Sequence, residues 1–499
     1  MMRHCKFAVK CIVTALVILL CTSQVNELLI YKVFADHEYA TSPSFMNFYE
    51  LDRNSVDVLI LGSSHAQTSI IPQELYDQYG ITSYNLGSNA QSVVLSYYIL
   101  RDVLRTQQPE VVVLETYMLF PYYEEESLNC TDSEIRRVLN HMQLSPVKLE
   151  AIYDLCSHDE DLNALSYLLT NIQYHDRWKE LDENDFRTQE RRWDDFLMGY
   201  ELFTGTNDLA YEPLQVGESD EFEDMMPLME EYLDKITALC GQSGIELVLV
   251  KTPTTDHTIG RHNTLQQYAE ENGILFYDFN EEDLYILAQF DFSNDLFDYG
   301  HLNYSGALKM TTSLGDLLQG AFDLTPHEDA QWDEMEPLYA DAIANYDLVQ
   351  IENLDEYLTA LTDDMERYTI FITSQDDAAS SLGESSKQLL RNLGLMADWT
   401  DAYRNSYCGI VSAGEVLLEA MSEDALSFTG SFLDGSRTYS IGSGGYNSGI
   451  SCTVTLNGDG SELTRQSRGL NIVVYDNENH KVVDSVCFDT YDWSNGVIR

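Results

Sequence analysis

The stretch that decides the fold is Val56–Leu61 (VDVLIL), which is followed directly by Gly62–His65 (GSSH). A continuous apolar run that stops at small residues is typical of a strand buried on both faces of a parallel sheet. A glycine at the end of such a strand lets the chain turn sharply, and the hydroxyl of Ser64 then projects at the carboxyl edge of the sheet. Gly-Ser turns are common, so the turn alone does not identify a site.

The chain around this stretch alternates between strand and helix patterns. Predicted strands are Val56–Leu61, Ile81–Leu86, Glu110–Leu114, Ile245–Val250 and Ile274–Phe279, and predicted helices are Gln91–Leu104, Glu221–Cys240, Arg261–Glu271 and Tyr304–Leu318. This alternation predicts a parallel sheet with helices on both faces, which is a three-layer α/β/α fold. In such sheets, functional residues collect at the carboxyl ends of the strands.

Changes of pattern along the chain suggest the domain boundaries. The first domain is expected over residues 36–324, with a helical insertion at about 120–215 that forms a cap over the sheet and shapes the substrate pocket. An acidic segment with two prolines, within residues 325–344, is expected to be a linker or a boundary helix. Residues 345–499 are expected to form a second module, and from Asn447 onward short alternating segments with Gly/Asn/Asp turns suggest a β-rich fold.

The N-terminal residues 1–35 are expected to hold a membrane anchor or a signal peptide. Arg3, Lys6 and Lys10 precede the apolar run Cys11–Cys21, and positive charge on that side directs the rest of the chain outward. The run is short for a span, which needs about 20 apolar residues, and it lacks a good cleavage site. Both alternatives place the bulk of the protein outside the cell.

Composition excludes several classes of partner. The chain has 28 Lys and Arg against 83 Asp and Glu, a net charge of −55, and such a surface repels nucleic acid and anionic lipid. No calcium-binding loop pattern occurs, and no cofactor is expected. Six of the nine cysteines lie beyond the N-terminal segment without any C-x-x-C pair, so they form either disulfides or buried thiols.

A second polar motif lies far downstream, in Phe297–Asn303 (FDYGHLN). An aspartate three residues before a histidine can bond one ring nitrogen and leave the other free to accept a serine proton. Asp298 and His301 therefore form a candidate catalytic pair for Ser64. A metal site built on the same two residues is the alternative, but no third ligand stands at a suitable spacing.

Ser64 after the first strand, Asn85-Leu86-Gly87 after the second and the D-x-x-H loop before the last helix together resemble the SGNH (GDSL-like) hydrolase superfamily, whose sheet is flavodoxin-like. The resemblance covers about residues 56–320. It implies that Ser64 is the nucleophile, that His301 is general base and then acid, and that Asp298 orients His301. It also implies that the backbone N–H groups of Ser64 and Gly87 form the oxyanion hole.

Two departures from the superfamily pattern matter. Ser63 replaces the Asp of the G-D-S-L block, which resembles the branch that partners membrane-bound O-acyltransferases in modifying envelope polymers. The G-x-N-D block is missing after the third strand, where Glu115 stands instead as a site-lining residue or a plain strand end. A literal G-T-N-D occurs at residues 205–208, where Asn207 is either the oxyanion asparagine or part of an ordinary turn. His65 is expected to be structural or to line the pocket.

Two segments of the second module resemble the interleukin-like EMT inducer (ILEI, or PANDER-like) domain, an α+β fold. They are Ile370–Ile410, with ITSQDDAASSL, LLRNLG and YRNSYCGI, and Arg468–Tyr491, with RGLNIVVYDNENHKVVDSVCFDTY. Their order along the chain is reversed relative to the family, which a circular permutation explains. The resemblance implies carbohydrate binding without assigning residues. A packing module is the alternative.

Together these features predict an extracytoplasmic serine esterase or O-acyl (acetyl) transferase that acts on an envelope or extracellular glycan. The expected partners are that glycan, a membrane-bound O-acyltransferase and the membrane at the N-terminus. Hydrolase and transferase differ only in the acceptor, so sequence does not separate them. The alternative is a carbohydrate-binding scaffold with a degenerate site, which the missing G-x-N-D block favours and the complete Ser64, Asp298 and His301 set opposes.

Overall fold

The computed structural model describes residues 2–29, 45–123, 126–169, 171–181, 186, 197–207, 209, 211–217, 219–457, 461–478 and 480–499. The chain divides into two compact units, and the boundary between them follows Ala340. Each unit contains its own β-sheet.

The sheet of the first unit is parallel throughout. Within the described residues it has five strands, β1 (Val58–Leu61), β2 (Ser83–Asn85), β3 (Val111–Glu115), β4 (Glu246–Lys251) and β5 (Leu275–Asp278), in the order β2-β1-β3-β4-β5. Each predicted strand is present: β1, β2 and β5 are two or three residues shorter than predicted, and β3 and β4 keep the predicted length but lie one residue later. The carboxyl ends of β1, β2 and β3 lie side by side, with Ile60 opposite both Asn85 and Val113.

Helices of the first unit follow the strands. Their bounds are α1 (Met2–Leu29), α2 (Phe45–Phe48), α3 (Ser64–Ser69), α4 (Pro72–Tyr79), α5 (Val93–Val103), α6 (Asp132–Leu139), α7 (Pro146–His158), α8 (Ala164–Leu168), α9 (Asn171–Tyr174), α10 (Pro227–Ser243), α11 (Ile259–Asn272), α12 (Glu282–Leu287), α13 (Tyr304–Ala321), α14 (Ala330–Asp333) and α15 (Glu336–Gln350), which crosses the unit boundary. Helices α8 and α9 are short, and α9 is followed directly by a 3-10 turn at His175–Lys179.

Both faces of the parallel sheet are buried. Leu59, Val112 and Leu247 share one hydrophobic core with residues of α5 and α10. Alternate residues of the strands point to the other face of the sheet, and those residues, such as Ile60 and Val113, are equally buried. Helices α3 and α4 pack against α13. Because neither face meets water, these strands have continuous apolar runs instead of alternating ones, which explains the pattern VLIL in β1.

The predicted membrane-spanning segment is not supported. In the described part of the chain, no helix is both long enough and apolar enough to cross a membrane, α1 included. The apolar run Cys11–Cys21 within α1 is shorter than the about 20 residues that a span requires.

The second unit is built on an antiparallel sheet. Its described strands are β6 (Tyr368–Asp376), β7 (Ser406–Ser412), β8 (Glu415–Ser422), β9 (Leu426–Phe432), β10 (Arg437–Gly445), β11 (Ser451–Leu456), β12 (Gly469–Asp476), β13 (Lys481–Phe488) and β14 (Val497–Ile498), with helices α16 (Leu354–Asp363) and α17 (Glu384–Asn392). Strand β6 pairs with β12 along its length, so the two segments that carry the ILEI resemblance lie side by side. One short parallel pairing, between β6 and β10, interrupts the antiparallel pattern.

The cysteines outside α1 are free thiols in the structure. Cys130, Cys240, Cys408, Cys452 and Cys487 are buried, and Cys156 is half-buried. Burial raises the pKa of the Cys240 thiol to about 12, because the thiolate would lose its hydration. The structure therefore agrees with buried thiols, one of the two alternatives that the sequence leaves open.

Candidate active site

The turn between β1 and α3 presents Ser64 at the edge of the sheet. Gly62 has a φ of +149°, and a Cβ at this position would lie 2.5 Å from the Cβ of Glu115, so only glycine fits. Ser63 caps α3, and its hydroxyl accepts a hydrogen bond from the N–H of His65 at 3.3 Å. Ser64 is the first residue of the helix, and among the described residues its N–H has no hydrogen-bond partner.

The structure brings Ser64, His301 and Asp298 together. The Nε2 atom of His301 lies 2.8 Å from Ser64 Oγ, although 237 residues separate the two in sequence. The Nδ1 atom of the same ring lies 2.9 Å from both carboxylate oxygens of Asp298. Serine, imidazole and carboxylate thus form a continuous hydrogen-bonded line, the geometry that a serine nucleophile needs for activation.

Asp298 is held as an anion. Partial burial alone would raise its pKa, but hydrogen bonds from the His301 ring and from the backbone N–H of Gly300 outweigh burial, so the pKa is lower than that of a free aspartate. The same carboxylate accepts the backbone N–H groups of Gly300 and His301 at 2.8 and 2.9 Å. It therefore fixes the shape of the loop as well as the orientation of the imidazole.

Glu115 lies beneath the turn and not in the cavity. Its carboxylate accepts the hydroxyl of Ser63 at 2.7 Å, the N–H of Ser63 at 3.2 Å and the N–H of Tyr117 at 2.5 Å. Burial raises the pKa of Glu115, and the hydrogen bonds from Ser63 oppose that rise. The sequence left Glu115 as either a site-lining residue or a plain strand end, and neither description is complete. Glu115 links the end of β3 to the turn that carries Ser64 through its hydrogen bonds with Ser63.

Gly87 does not have a free N–H for the oxyanion hole. Its backbone N–H donates to Asn85 Oδ1 at 3.0 Å in a buried position. A Cβ on Gly87 would lie 2.9 Å from the carbonyl oxygen of Ser63, so glycine is needed here because the loop after β2 approaches the turn before α3 very closely. The expectation that Gly87 donates to an oxyanion therefore conflicts with its hydrogen bonding.

Two residues farther along the same loop carry hydrogen-bond donors next to the serine. A small cavity beside Ser64 and His301 is lined by Asn89 and Ala90. Ala90 is buried and has a φ of +45°, an uncommon conformation for a residue with a side chain. Within the described residues, the N–H of Ala90 donates to no backbone carbonyl, and the side-chain amide of Asn89 belongs to the cavity wall. Both donors are available to a bound group.

Asn207, the alternative oxyanion asparagine, is not among the residues that line this cavity. Its N–H donates to the carbonyl of Leu296 at 2.8 Å, and Gly205 accepts the side chain of Asn303 at 3.0 Å. The Gly205–Asn207 segment therefore buttresses the loop before α13, as a turn would. Residue 208, the last of the G-T-N-D sequence, lies outside the described residues.

Aromatic side chains form the rest of the cavity wall. Tyr117 and Met118 line it from the end of β3, and Tyr122 and Tyr299 line its mouth with 44% and 57% of their surfaces exposed. Sequence reasoning missed these four residues and Asn89. The only signal for them was their position just after a predicted strand or within the D-x-x-H loop.

The alternative from sequence, a metal centre at Asp298 and His301, would need at least one further ligand. Among the described residues, no three His, Cys, Asp or Glu side chains are grouped so that they could hold a metal ion. The carboxylate of Asp298 is turned to the imidazole and the backbone of its own loop.

Comparison with known proteins gives little additional information. No family model matches the chain, and no curated protein matches it. A crystal structure from Bacteroides fragilis, provisionally described as that of an acylhydrolase, is similar over 58% of this chain and 99% of its own, with 11% identity and a TM-score of 0.26. We draw no functional conclusion from a similarity of this size.

Proposed function

We propose that the protein is a serine esterase or O-acyltransferase of the SGNH type that cleaves or transfers a short acyl group, acetyl above all, on a glycan outside the cytoplasm. The observation that carries the proposal is the line from Ser64 Oγ to His301 Nε2, at 2.8 Å, and on to Asp298 at the other ring nitrogen. Each group has the partner that its chemical role requires.

In the proposed reaction, Ser64 Oγ attacks the acyl carbon while His301 Nε2 takes its proton. The ester C–O bond then breaks, the leaving alcohol receives that proton from His301, and the acyl group remains on Ser64. Water or a second hydroxyl attacks this acyl-enzyme, again with His301 as base, and Ser64 is regenerated. Asp298 stabilises the imidazolium in both halves of the reaction without taking its proton.

The oxyanion of each tetrahedral intermediate would be held by the N–H groups of Ser64 and Ala90 and by the side-chain amide of Asn89. This assignment replaces Gly87, whose N–H is already bonded to Asn85. It also supplies a side-chain donor in place of the missing G-x-N-D asparagine, from the loop after β2. A helix N-terminus such as that at Ser64 adds a favourable partial positive charge.

We expect Asn89→Ala to lower kcat by about 10²- to 10³-fold with little change in KM, because an oxyanion donor acts mainly in the transition state. Asn207→Ala is the matched control and should leave kcat nearly unchanged. Steady-state hydrolysis of a small acetyl ester measures both. A large loss in Asn207→Ala, with Asn89→Ala close to wild type, would reverse the assignment of the donor.

The cavity and its mouth support a small acyl group on a sugar. Asn89, Ala90, Tyr117 and Met118 surround the nucleophile closely, which suits a short acyl chain. Exposed tyrosines at the mouth offer flat apolar surfaces with a polar tip, on which a sugar ring can stack. The net charge of −55 disfavours a strongly anionic polymer as substrate.

Labelling with a fluorophosphonate tests the proposal directly. The purified chain should react at Ser64, and it should hydrolyse a small activated acetyl ester, since the acyl-enzyme of a transferase is open to water when its acceptor is absent. A carbohydrate-binding scaffold would show neither reaction. Transfer is distinguished from hydrolysis by adding a candidate glycan and measuring acyl groups on it, with a membrane-bound O-acyltransferase as the proposed acyl source.

The proposed location outside the cytoplasm depends on the basic N-terminal flank. Residues 325–328 are exposed and offer a cleavage site next to α14. Protease added to intact cells should cut there. If the segment is protected in intact cells and cut only in lysates, the proposed location is wrong.

For the second unit, the pairing of β6 with β12 supports an ILEI-like carbohydrate-binding module, because it joins the two resembling segments in one sheet. Such a module would retain the enzyme near its glycan. Retention of the full-length chain on a glycan column, unaffected by Ser64→Ala, is the expected result.

A further inference from the structure

His65 follows the nucleophile in sequence and lies beside the triad in space. Its imidazole is 4% exposed and stacks on the ring of Tyr117, with centroids 4.0 Å apart and planes 18° apart. Its Nδ1 atom lies 3.4 Å from the hydroxyl of Thr252. Tyr117, which follows β3, and Thr252, which follows β4, therefore hold the ring from two different loops.

The outer edge of this imidazole contacts the catalytic loop. A Cβ built on Gly300 would lie 3.0 Å from Cε1 and 3.2 Å from Nε2 of His65, closer than side chains normally pack. Gly300 directly precedes His301, whose ring centroid is 5.0 Å from that of His65. Glycine at position 300 thus lets the loop rest directly on the His65 ring.

Hydrogen bonds also hold the catalytic loop at Tyr299, the residue before Gly300. The backbone N–H and the hydroxyl of Thr255 both donate to the carbonyl of Tyr299 at 2.9 Å. These bonds fix the position of the Tyr299 carbonyl. The Asp298 carboxylate stabilises the same turn by accepting the N–H of Gly300. Gly300 lies between the anchored carbonyl of Tyr299 and His301, and the His65 ring packs against Gly300.

We propose that His65 is a positioning residue for the general base: its ring, clamped on Tyr117, supports Gly300 and thereby sets the distance between His301 Nε2 and Ser64 Oγ. The inference builds on the proposed function, and it assigns to one short segment, Ser64-His65, both the nucleophile and the support of the base.

The electrostatics agree with this role. Burial, and secondarily the nearby His301, lowers the pKa of His65 to about 3, so the ring is uncharged near neutral pH. An uncharged support does not repel the imidazolium that His301 becomes during the reaction. An arginine or lysine in the same place would.

The test is a double-mutant cycle between positions 65 and 300. His65→Asn keeps a polar group near Thr252 but removes the edge that meets Gly300, and Gly300→Ala adds the crowding methyl. We expect each single variant to lower kcat by about tenfold or more with KM nearly unchanged, since small misplacements of reacting groups cost rate. In the double variant the methyl occupies the vacated space, so kcat should rise well above that of Gly300→Ala.

A matched control is Gly205→Ala. A Cβ there would also be crowded, 3.1 Å from the ring of Phe297, but it does not touch His65. Adding His65→Asn to Gly205→Ala should therefore give no recovery. Additive effects at positions 65 and 300, or equal recovery in the control pair, would overturn the proposal.

A crystal structure of each variant gives a readout that does not depend on turnover. In Gly300→Ala the distance from His301 Nε2 to Ser64 Oγ should exceed the 2.8 Å of the parent by at least about 0.5 Å, enough to weaken the hydrogen bond, and the double variant should restore it. An unchanged distance in Gly300→Ala contradicts the role of His65 even if the enzyme is active. If the parent neither hydrolyses esters nor labels at Ser64, the proposed function fails, while these distances still decide whether His65 positions the loop.

Discussion

Ser64→Ala and His301→Ala should each abolish nearly all hydrolysis of a small acetyl ester, with kcat lower by about 10⁴-fold or more. Ser64 supplies the atom that becomes acylated, and His301 Nε2, at 2.8 Å, is the base to which its proton can move. Stopped-assay kinetics on the purified chain measure the loss. Unchanged thermal unfolding would show that it is chemical and not structural.

The double variant Ser64→Ala/His301→Ala should be scarcely slower than either single variant. Without the serine oxygen, a base has no proton to remove, so the two losses do not add. Ser63→Ala is the matched control, because it deletes a neighbouring hydroxyl that donates to Glu115 at 2.7 Å, whereas His301 is hydrogen-bonded to Ser64. We expect Ser63→Ala to keep labelling at Ser64 and most of the activity.

Two outcomes would contradict this assignment in different ways. Labelling at another serine would leave the α/β fold unaffected but would move the nucleophile. Full esterase activity in Ser64→Ala, after trace contaminants are excluded, would remove the catalytic role of the serine at the end of β1 altogether.

The parallel sheet and the three hydrogen-bonded residues could be predicted because their signals are local. A buried strand has a continuous apolar run, as in VLIL of β1, and the D-x-x-H loop places Asp298 at hydrogen-bonding distance from its own histidine. Chain order then predicted that the serine turn and the loop share one sheet edge, because parallel strands present their carboxyl ends together.

The proposed oxyanion donors could not be predicted in the same way. The sequence pattern singled out Gly87 as an oxyanion donor, but glycine is needed there because the loop packs closely against the carbonyl of Ser63. The left-handed conformation of Ala90 leaves no trace in sequence, since alanine is common everywhere. Whether an N–H is free depends on every acceptor around it, and those come from distant parts of the chain.

In the second unit, the β12–β13 hairpin has a local signal in the sequence, because the apolar runs Leu470–Tyr475 and Val482–Cys487 flank a cluster of turn residues. Strands β8, β9 and β10 were missed. Strand β8 pairs only with β7 among the described strands, and its residues are partly or fully exposed, so no clear inside-outside alternation marks it. Such an edge strand is defined mainly by its partner, which sequence pattern does not identify.

Asp298→Asn should lower kcat by about 10⁴-fold, less than or at most as much as the loss in Ser64→Ala. The asparagine oxygen can still accept the N–H groups of Gly300 and His301, so the loop should keep its shape. What changes is the contact with His301 Nδ1, where an amide can donate a hydrogen and thereby place the ring proton on Nε2. In that tautomer the ring cannot accept the proton of Ser64.

The matched control for this prediction is Asp256→Asn, a change of the same kind at a carboxylate near the loop. Asp256 accepts the hydroxyls of Tyr117 at 3.0 Å and Thr254 at 2.6 Å, neither of which belongs to the triad. Its conversion to asparagine should therefore affect kcat far less. Both carboxylates have pKa values below the ordinary value, so both variants remove one negative charge at neutral pH. A similar loss in the two variants would show that net charge near the loop matters and that Asp298 does not select the tautomer of His301. A loss confined to Asp298→Asn identifies Asp298 as the residue that orients the base.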